Sequence, residues 1–560
     1  RVTMPFYVFR YISASLLAGV LVLASCAPAQ PAGAPSQSPP GPSGQAPAQA
    51  TAAPKPSPAA QPQRGGTLTI STGADVTDFD IHQNTSISLL QPLVPAYNML
   101  VQYDPGNPSS IVGDLAESWS LSSDGLTYTF KLRPGITFHD GQPMTVDDVV
   151  YNMQRMADPP KGVRSGRKEQ FRTLDKIEKV NESTMRIVFK EPYGSFMAQF
   201  ATDWFVIFPK SLLEKKGDMK KDVVGTGPFM LKSYTPGISL ELVRYDKYFK
   251  KDMPYLDGVT TYIIKDQSTR FAAFRTGQVL MTGRIFAALS PSEARTVEKD
   301  YPNLVLKRFS GLQGPWFVFN TKRKPFDDVR VRRAIFLALD RDAMLKVIGE
   351  GEGVVGGFLS PGEWTLSEKE MRQTAGYRIP KAADIAEAKK LLAEAGYPNG
   401  FDVPTGFVVR DLVQRPSEFF AGQLQPLGIS MKLEVMETTA QSSRTAKRDF
   451  AITAQFNASR INDPDELFRK YITNADQAYG DYSDPDVDRL LVEQGRAFDP
   501  VKRRQLLLQL SQRLEETAPA ISPYWENTIL GLWPQVRGFT PPPSGSYMLN
   551  RYENIWLAAK

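Results

Sequence analysis

The sequence changes character near residue 63, and this break decides which part of the chain can fold. Residues 27–63 contain Ala, Pro, Gln, Ser, Gly and Thr with a single charge, at Lys55, and eleven of these 37 residues are Pro. A segment of this composition cannot bury apolar surface, so we expect a disordered spacer that reaches at most about 110 Å. Globular structure is therefore expected only in residues 64–560.

The segment before the spacer has the features of a secretory signal. Its first ten residues carry two arginines, and the apolar stretch Tyr11–Ser25 is shorter than the roughly 20 residues that a membrane span needs. The stretch ends in Leu-Ala-Ser-Cys, which resembles a bacterial lipobox, where the cysteine is lipidated. We therefore expect a lipoprotein signal peptide over residues 1–26 and a lipid anchor on Cys26; the alternative is an ordinary signal with an incidental cysteine.

Cysteine and histidine are scarce, and this excludes several kinds of site. The chain has one cysteine, Cys26, and two histidines, His82 and His139. An internal disulfide and a zinc cluster of Cys and His therefore cannot form. The net charge of +6 is spread over 66 basic and 60 acidic residues without a basic run, so nucleic-acid binding is not expected. We expect no cofactor, no metal site and no catalytic residue.

Hydrophobic periods of two and of 3.6 residues alternate along the folded part, which predicts a mixed α/β class. Strands are predicted at residues 67–70, 126–132, 184–190, 239–245, 259–265 and 316–320. Helix signals are a capping box at Thr145 and Asp148, N-caps near Asp327 and at Asp384, a stop at Gly396, and a helix over 500–517.

A set of short motifs occurs in a fixed order along the folded part. These motifs are Gly65–Leu68, Leu115–Trp119, Asp124–Phe130, Leu132–Gly141, Gly225–Phe229, Pro325–Ala334, Ala388–Tyr397 and Leu427–Ile429. Together they resemble the extracytoplasmic solute-binding proteins of family 5, which are the dipeptide-, oligopeptide- and nickel-binding components of ABC importers. The resemblance covers about residues 65–558.

The resemblance implies a two-lobed periplasmic-binding-protein-like fold, type II with an extra subdomain, and a ligand cleft between the lobes. Lobe I is expected at 64–312 and 528–560, with the extra subdomain at about 111–224, and lobe II at 313–527. The implied function is a monomeric receptor on the outer face of the cell membrane, or in the periplasm. It would capture a peptide or peptide-like solute by lobe closure and deliver it to an ABC permease.

The loop after the predicted strand 450–455 holds the first candidate ligand contacts, Phe456, Asn457 and Arg460. In peptide-binding members of the family this loop carries an Asp that pairs with the ligand's ammonium group, and Arg460 stands at about that position here. A guanidinium prefers a carboxylate or a phosphate. Peptides with a free amine are therefore in doubt, and an anionic, opine- or sugar-acid-like solute is the alternative.

Arg410 and Arg415 follow an apolar strand, where peptide-binding relatives carry an arginine for the ligand carboxylate, and either could fill that role. Arg284 is a weaker candidate, for which a solvated surface position is expected. Aromatic residues near predicted strand ends and the hinge are further candidates, with core packing as the alternative for each: Phe456, Trp316, Tyr97, Phe79, Trp204, Trp364 and Trp525. His82 is expected in a loop near the cleft and His139 in a structural turn.

Two other classes of function stay open. A secreted enzyme on the same fold would need a paired acid and base in the cleft, and no motif in the sequence supplies one. An extracellular adhesion or chaperone-like module would show no saturable binding of a small ligand.

Overall fold

The computed structural model describes residues 61–284, 287–459, 461, 463–473, 480–542 and 550–559. The signal segment, Cys26, most of the spacer and Arg460 lie outside the described residues. The strands are β1 Thr67–Thr72, β2 Val101–Tyr103, β3 Ile111–Gly113, β4 Ala116–Leu121, β5 Thr127–Leu132, β6 Leu174–Asn181, β7 Thr184–Phe189, β8 Phe229–Thr235, β9 Ser239–Arg244, β10 Gly258–Ile263, β11 Val305–Ser310, β12 Gln313–Phe319, β13 Gly353–Val355, β14 Phe401–Arg410, β15 Ile429–Met436, β16 Ile452–Ala458, β17 Ala520–Ile521, β18 Tyr524–Leu532, β19 Val536–Arg537 and β20 Trp556–Leu557.

Helices alternate with these strands, so the predicted α/β class is confirmed. The α-helices are α1 Leu90–Leu93, α2 Val146–Ala157, α3 Phe196–Phe200, α4 Lys210–Lys216, α5 Gln267–Arg275, α6 Pro291–Asp300, α7 Val329–Ala338, α8 Arg341–Val347, α9 Glu368–Met371, α10 Ala382–Glu394, α11 Gln414–Leu424, α12 Thr438–Ala446, α13 Asp465–Phe468, α14 Pro485–Gly495 and α15 Pro500–Thr517. None of them has the length and apolar character that crossing a bilayer requires, in the part of the chain that the structure describes.

The predicted helix signals are confirmed except for one cap. Thr145 and Asp148 form a complete capping box at the start of α2. The N-cap of α7 is Asp328, which confirms the cap predicted near Asp327. Asp384 is no cap, because α10 begins at Ala382; its fully buried carboxylate instead accepts from the Lys381 ammonium at 2.8 Å. That carboxylate also accepts a hydrogen bond from the backbone N–H of Gly376. These two bonds explain why an acid can be buried in the first turn of α10.

Lobe I is built on the sheet β1-β10-β9-β8, in which β1 runs parallel to β10. Its core gathers apolar side chains from near both ends of the described chain, from Leu68 to Ile555. A second sheet, β4-β5-β7-β6, lies within the predicted extra subdomain, and α2 packs against β6. Both sheets contribute to one continuous core, which makes this lobe a single packed body.

Lobe II contains the five-stranded sheet β15-β14-β16-β12-β17. One core lies between this sheet and α7, α8, α10 and α11, and a second core contains residues of α14 and α15. Helices therefore contribute to two cores around the sheet, as in other α/β folds.

β18 changes partner along its length, at the point where the hinge between the two lobes is expected. Its later half pairs with β11 over Asn527–Leu532, and its first residues pair with β13 over Tyr524–Glu526. The other crossing is the short segment Ser310–Gln313, and Gly311 N donates to Glu526 O at 2.8 Å between the two crossings. The lobe boundaries at 312/313 and 527/528 stay predictions.

Candidate functional site

The carboxyl edge of the lobe II sheet is the first wall of the candidate site. β14 and β16 are parallel, so both end at this edge, and the antiparallel β12 begins there. Arg410 is the last residue of β14, and Ser459 follows the end of β16. Ser459 N donates to Leu312 O of the hinge at 2.8 Å. Ligands of open α/β sheets bind outside the carboxyl ends of the strands, so this edge is positioned for binding.

The carboxyl edge of lobe I is the second wall. Met281 forms a parallel bridge with Ile70 of β1, so the chain after Met281 leaves the sheet at the same edge as the end of β1. Gly283 lies so close to β1 that a Cβ there would stand 1.9 Å from Ser71 O. The glycine therefore allows a close approach of the two segments, and the next residue, Arg284, is held at this edge.

Side chains of the two lobes meet beside these edges. A cavity of about 20 Å³ is lined by Trp204 and Arg167 of lobe I and by Ile461 and Glu466 of lobe II. The Arg167 guanidinium lies over the Trp204 ring at 3.8 Å from its centroid. The cavity therefore marks the seam between the lobes at the loop that follows β16.

A network of buried charges holds that loop in place. The Arg503 guanidinium donates two bonds of 2.7 Å to the Asp463 carboxylate, and both side chains are buried. Asp465 accepts from Gln494 Nε2 at 2.7 Å and, across the seam, from Ser195 Oγ at 3.1 Å. The loop is thus anchored to lobe II and also bonded to lobe I, which couples its position to lobe closure.

The Asp465 carboxyl is ionised at neutral pH, which suits its bond to Ser195 across the seam. Burial alone raises the pKa of its carboxyl, but the Arg469 and Arg172 guanidiniums outweigh burial and hold the pKa below its usual value. Arg469 Nε donates to Asp465 at 2.8 Å from one turn away. Asp465 is therefore an anion at neutral pH and accepts the hydrogen bond that Ser195 donates across the seam.

The predicted lobe II contacts have different surroundings. Arg410 Nε donates to Thr438 Oγ1 at 2.8 Å on the partly exposed edge, while Arg415 is exposed near the start of α11. Asn457 is buried; its Oδ1 accepts from Lys470 at 2.6 Å, and its Nδ2 has no partner in the described part. Phe456 is half-buried and packs against the core below α7 and α11. Ligand contact by these residues stays a prediction.

The remaining predicted aromatics lie in cores. Trp316 is 1% exposed and packs edge-on against Trp525 and Phe358, although its Nε1 has no partner in the described part. Tyr97 packs against Phe208 inside lobe I, and Phe79 packs edge-on against Tyr234. Their roles as ligand contacts also stay predictions.

The structure contradicts the expected surface position of Arg284. The side chain is only 5% exposed, and its Nη2 donates to Asn550 Oδ1. Sequence reasoning also missed the neighbours Asn550, Asp203 and Tyr552 as members of this cluster. They are far from Arg284 along the chain, and their types carry no local signal of a shared site.

Both histidines have structural surroundings. His82 is buried in lobe I, where Nε2 bonds to Val206 O at 2.8 Å and Nδ1 accepts from Arg155 at 3.2 Å. Burial lowers the pKa of His82 to about 3 and that of His139 to about 4, so both are neutral at pH 7. His139 Nε2 bonds to Gly227 O at 3.0 Å. Across the described residues no group of three or more His, Cys, Asp or Glu side chains could hold a metal ion.

Two larger cavities lie elsewhere in lobe II. Their volumes are about 430 and 450 Å³, and they share Leu359, Thr365, Leu366 and Met371. Their walls come from α7, α8, α9, α15, β13 and the segments on either side of α9, none of which forms the two carboxyl edges. These cavities are therefore separate from the candidate site.

Comparisons with known proteins agree with this architecture. Residues 110–479 match the family described as bacterial extracellular solute-binding proteins, family 5 Middle. Heme-binding protein A of Haemophilus influenzae is 30% identical over 485 residues, which cover 80% of this chain and 85% of that protein.

Two solved structures with the same fold contain bound solutes. The periplasmic binding protein DppA from Helicobacter pylori, in complex with the peptide STSA, has a TM-score of 0.70 and 26% identity over 88% of this chain and 98% of that chain. AgaA from A. tumefaciens R10, in complex with agropinic acid, has a TM-score of 0.71 and 26% identity over 88% of this chain and 99% of that chain.

The expected two-lobed periplasmic-binding-protein-like fold is thereby confirmed. The family match spans more than half of the chain, and these relatives are binding proteins rather than enzymes. The chain belongs to the bacterial extracellular solute-binding proteins of family 5.

Proposed function

We propose that this protein is the solute receptor of an ABC importer and captures a peptide or peptide-like solute between its lobes. The observation that carries the proposal is that Trp204 and Arg167 line one cavity with Ile461 and Glu466, which follow β16, while β18 changes partner between β11 and β13 at the expected hinge. Such a hinge lets one lobe rotate against the other. A solute that contacts both edges stabilises the closed arrangement by its greater affinity for it.

Family membership and the relatives support a peptide as the solute. The Helicobacter pylori protein binds the peptide STSA in the same fold, with residues aligned over 88% of this chain. Near the carboxyl end of β16, the buried Asn457 Nδ2 has no partner in the described residues. A peptide carries amide groups that can satisfy such donors.

A non-peptide acid in the same receptor role is the second candidate. The related AgaA structure holds agropinic acid. In this protein the buried Arg284 side chain has two guanidinium nitrogens, Nε and Nη1, without an acceptor among the described residues. A buried cation of this kind favours an acidic solute over a neutral one.

Mass spectrometry of co-purified solutes tests the proposal. The protein would be purified gently, denatured and filtered, and the released small molecules identified. A heterogeneous set of short peptides would support peptide import, and one discrete acidic compound would support the second candidate. A preparation that releases no small molecule, and that binds neither STSA nor agropinic acid in calorimetry, would contradict the receptor role.

We also propose that the receptor leaves the solute chemically unchanged. His139, one of the chain's two histidines, bonds a backbone carbonyl, and burial keeps its imidazole neutral. An enzyme on this fold would convert its co-purified solute during incubation. Conversion that disappears in a folded His139→Ala variant would overturn the proposal.

A further inference from the structure

Arg284 has an unusual position for a charged residue. It follows the segment that bridges to β1, so it stands at the carboxyl edge of lobe I, and it is almost completely shielded from solvent. Its backbone N–H donates to Gln91 Oε1 at 2.9 Å and its Nη2 donates to Asn550 Oδ1. Nε and Nη1 have no acceptor within the described part of the chain.

The nearest carboxylate does not fill these positions. Asp203 is bonded to Asn550 instead, through Nδ2 at 2.6 Å and the backbone N–H at 3.2 Å. The Asn550 amide thus stands between the Asp203 carboxylate and the Arg284 guanidinium. Burial raises the pKa of Asp203 to about 6 in spite of the nearby Arg284, so desolvation dominates the electrostatics of this cluster.

The other charged side chains of the cluster form ion pairs with one another. Arg551 bonds both Asp114 and Glu553, and the Lys250 ammonium lies 2.9 Å from Asp114 and 2.8 Å from Glu553. These two cations and two anions form a closed set beside Arg284. None of them offers an oxygen to Nε or Nη1.

A second unsatisfied donor lies nearby. The Tyr552 hydroxyl is buried without a partner in the described residues, and its ring is close enough to Arg284 and Asp203 for their charges to affect its ionisation. Asn550 connects Arg284 to Asp203, and the next residue, Trp204, lines the seam with lobe II. This chain of contacts places Arg284 on the side of lobe I that carries the seam.

The cost of burying Arg284 without acceptors indicates which kind of partner would complete this cluster. A buried guanidinium without acceptors is costly, and a protein retains one where a ligand or another partner supplies the acceptor. An ionised carboxylate forms charge-assisted bonds with arginine that are roughly twice as strong as neutral ones. A carboxylate of the solute would accept hydrogen bonds from the Arg284 guanidinium and from the Tyr552 hydroxyl.

We propose that Arg284, with the Tyr552 hydroxyl, receives a carboxylate of the bound solute and selects acidic solutes over their neutral analogues. This inference rests on the proposed receptor function and names the chemistry of that same cleft. The carboxylate has two possible sources, the C-terminus of a short peptide or the acid group of a non-peptide compound, and the choice of probes distinguishes them.

The test uses the full chain and three probes in calorimetry: the peptide Ser-Thr-Ser-Ala, its C-terminal amide, and agropinic acid. Solutes released from each preparation are identified in parallel.

We expect the wild type to bind at least one acid, and Arg284→Gln to weaken that binding about 100-fold. Tyr552→Phe, which removes one hydroxyl, should weaken it about 5- to 10-fold. Arg489→Gln, on the exposed face of α14, is the matched control and should bind like the wild type.

The outcomes separate the inference from the receptor role. Preference for the free peptide over its amide identifies a peptide C-terminus, and preference for agropinic acid identifies a non-peptide acid. Equal binding of the free peptide and its amide, with Arg284→Gln unchanged, would overturn the inference but leave the receptor role intact. If Arg284→Gln does not fold, binding by Arg284→Lys and Tyr552→Phe tests the inference instead. Both variants keep the positive charge at position 284. A wild type that releases and binds no solute contradicts the receptor role itself.

Discussion

At the scale of single residues, Glu526 makes the hinge sensitive to pH. Its carboxyl lies on β18 where the chain passes between the lobes, and burial raises its pKa to about 7. Tyr524, two residues earlier, is the titratable neighbour on the same strand, and the charge of Arg415 also acts on that tyrosine. Glu526 has no basic ion-pair partner in the described part of the chain.

This shift predicts that stability falls as pH rises from about 4.5 to about 7. In that window the folded protein retains a proton that the unfolded chain has already released, so deprotonation disfavours the folded state. Glu526→Gln should remove this dependence, so the wild type should lose roughly 3 kcal/mol more of its free energy of unfolding between pH 4.5 and pH 8 than the variant does. Urea unfolding of both proteins at the two pH values measures the effect, and parallel pH profiles would contradict it.

The residues that sequence reasoning placed well carry their information locally. The capping box of Thr145 and Asp148 needs only three residues of spacing, and the helix over 500–517 is visible in its own apolar period. Arg284 is different, because its burial depends on Asn550 and Asp203, which are brought close only by the folded lobe. Local pattern therefore predicts the elements, while the chemistry of the site depends on tertiary contacts.

At the scale of elements, the loop before α3 contacts backbone atoms at the end of α14 and in the turn that follows it, across the expected boundary between the lobes. Gly194 N donates to Gly495 O at 2.7 Å. A Cβ on Gly194 would stand 2.8 Å from Ala497 O, a backbone atom that cannot rotate away. Closure of the lobes at this point therefore requires glycine.

We expect Gly194→Ala to hold the lobes apart and to weaken solute binding about tenfold, because overpacking of this kind costs about 1–3 kcal/mol. Calorimetry with the co-purified solute measures the loss, and small-angle scattering measures the larger radius of gyration. Gly422→Ala in α11 is the control, since no heavy atom lies within 4 Å of its Cβ position. Binding by Gly194→Ala that equals binding by the control would show that the contact does not act in closure.

At the scale of the whole molecule, the expected lipid anchor determines where the receptor works. We propose that Cys26 carries the lipid and that the Pro-rich spacer lets the folded lobes reach the permease. Cys26→Ser should abolish labelling by radioactive palmitate and move the protein from the membrane fraction to the soluble fraction. Ser25→Ala keeps a small residue before the cysteine and should be labelled like the wild type. Labelling that persists in Cys26→Ser would contradict the anchor.

The divided construction of lobe I also has a consequence for the order of folding. The core around Leu68 and Ile70 includes Leu530, Leu532 and Ile555, whereas both cores of lobe II are drawn from one uninterrupted stretch, Trp316 to Trp525. During synthesis, lobe II is complete before lobe I has received its last strands. The core of lobe I therefore stays incomplete until the last strands of the chain have been made, and the apolar side chains of β1 remain partly uncovered until then.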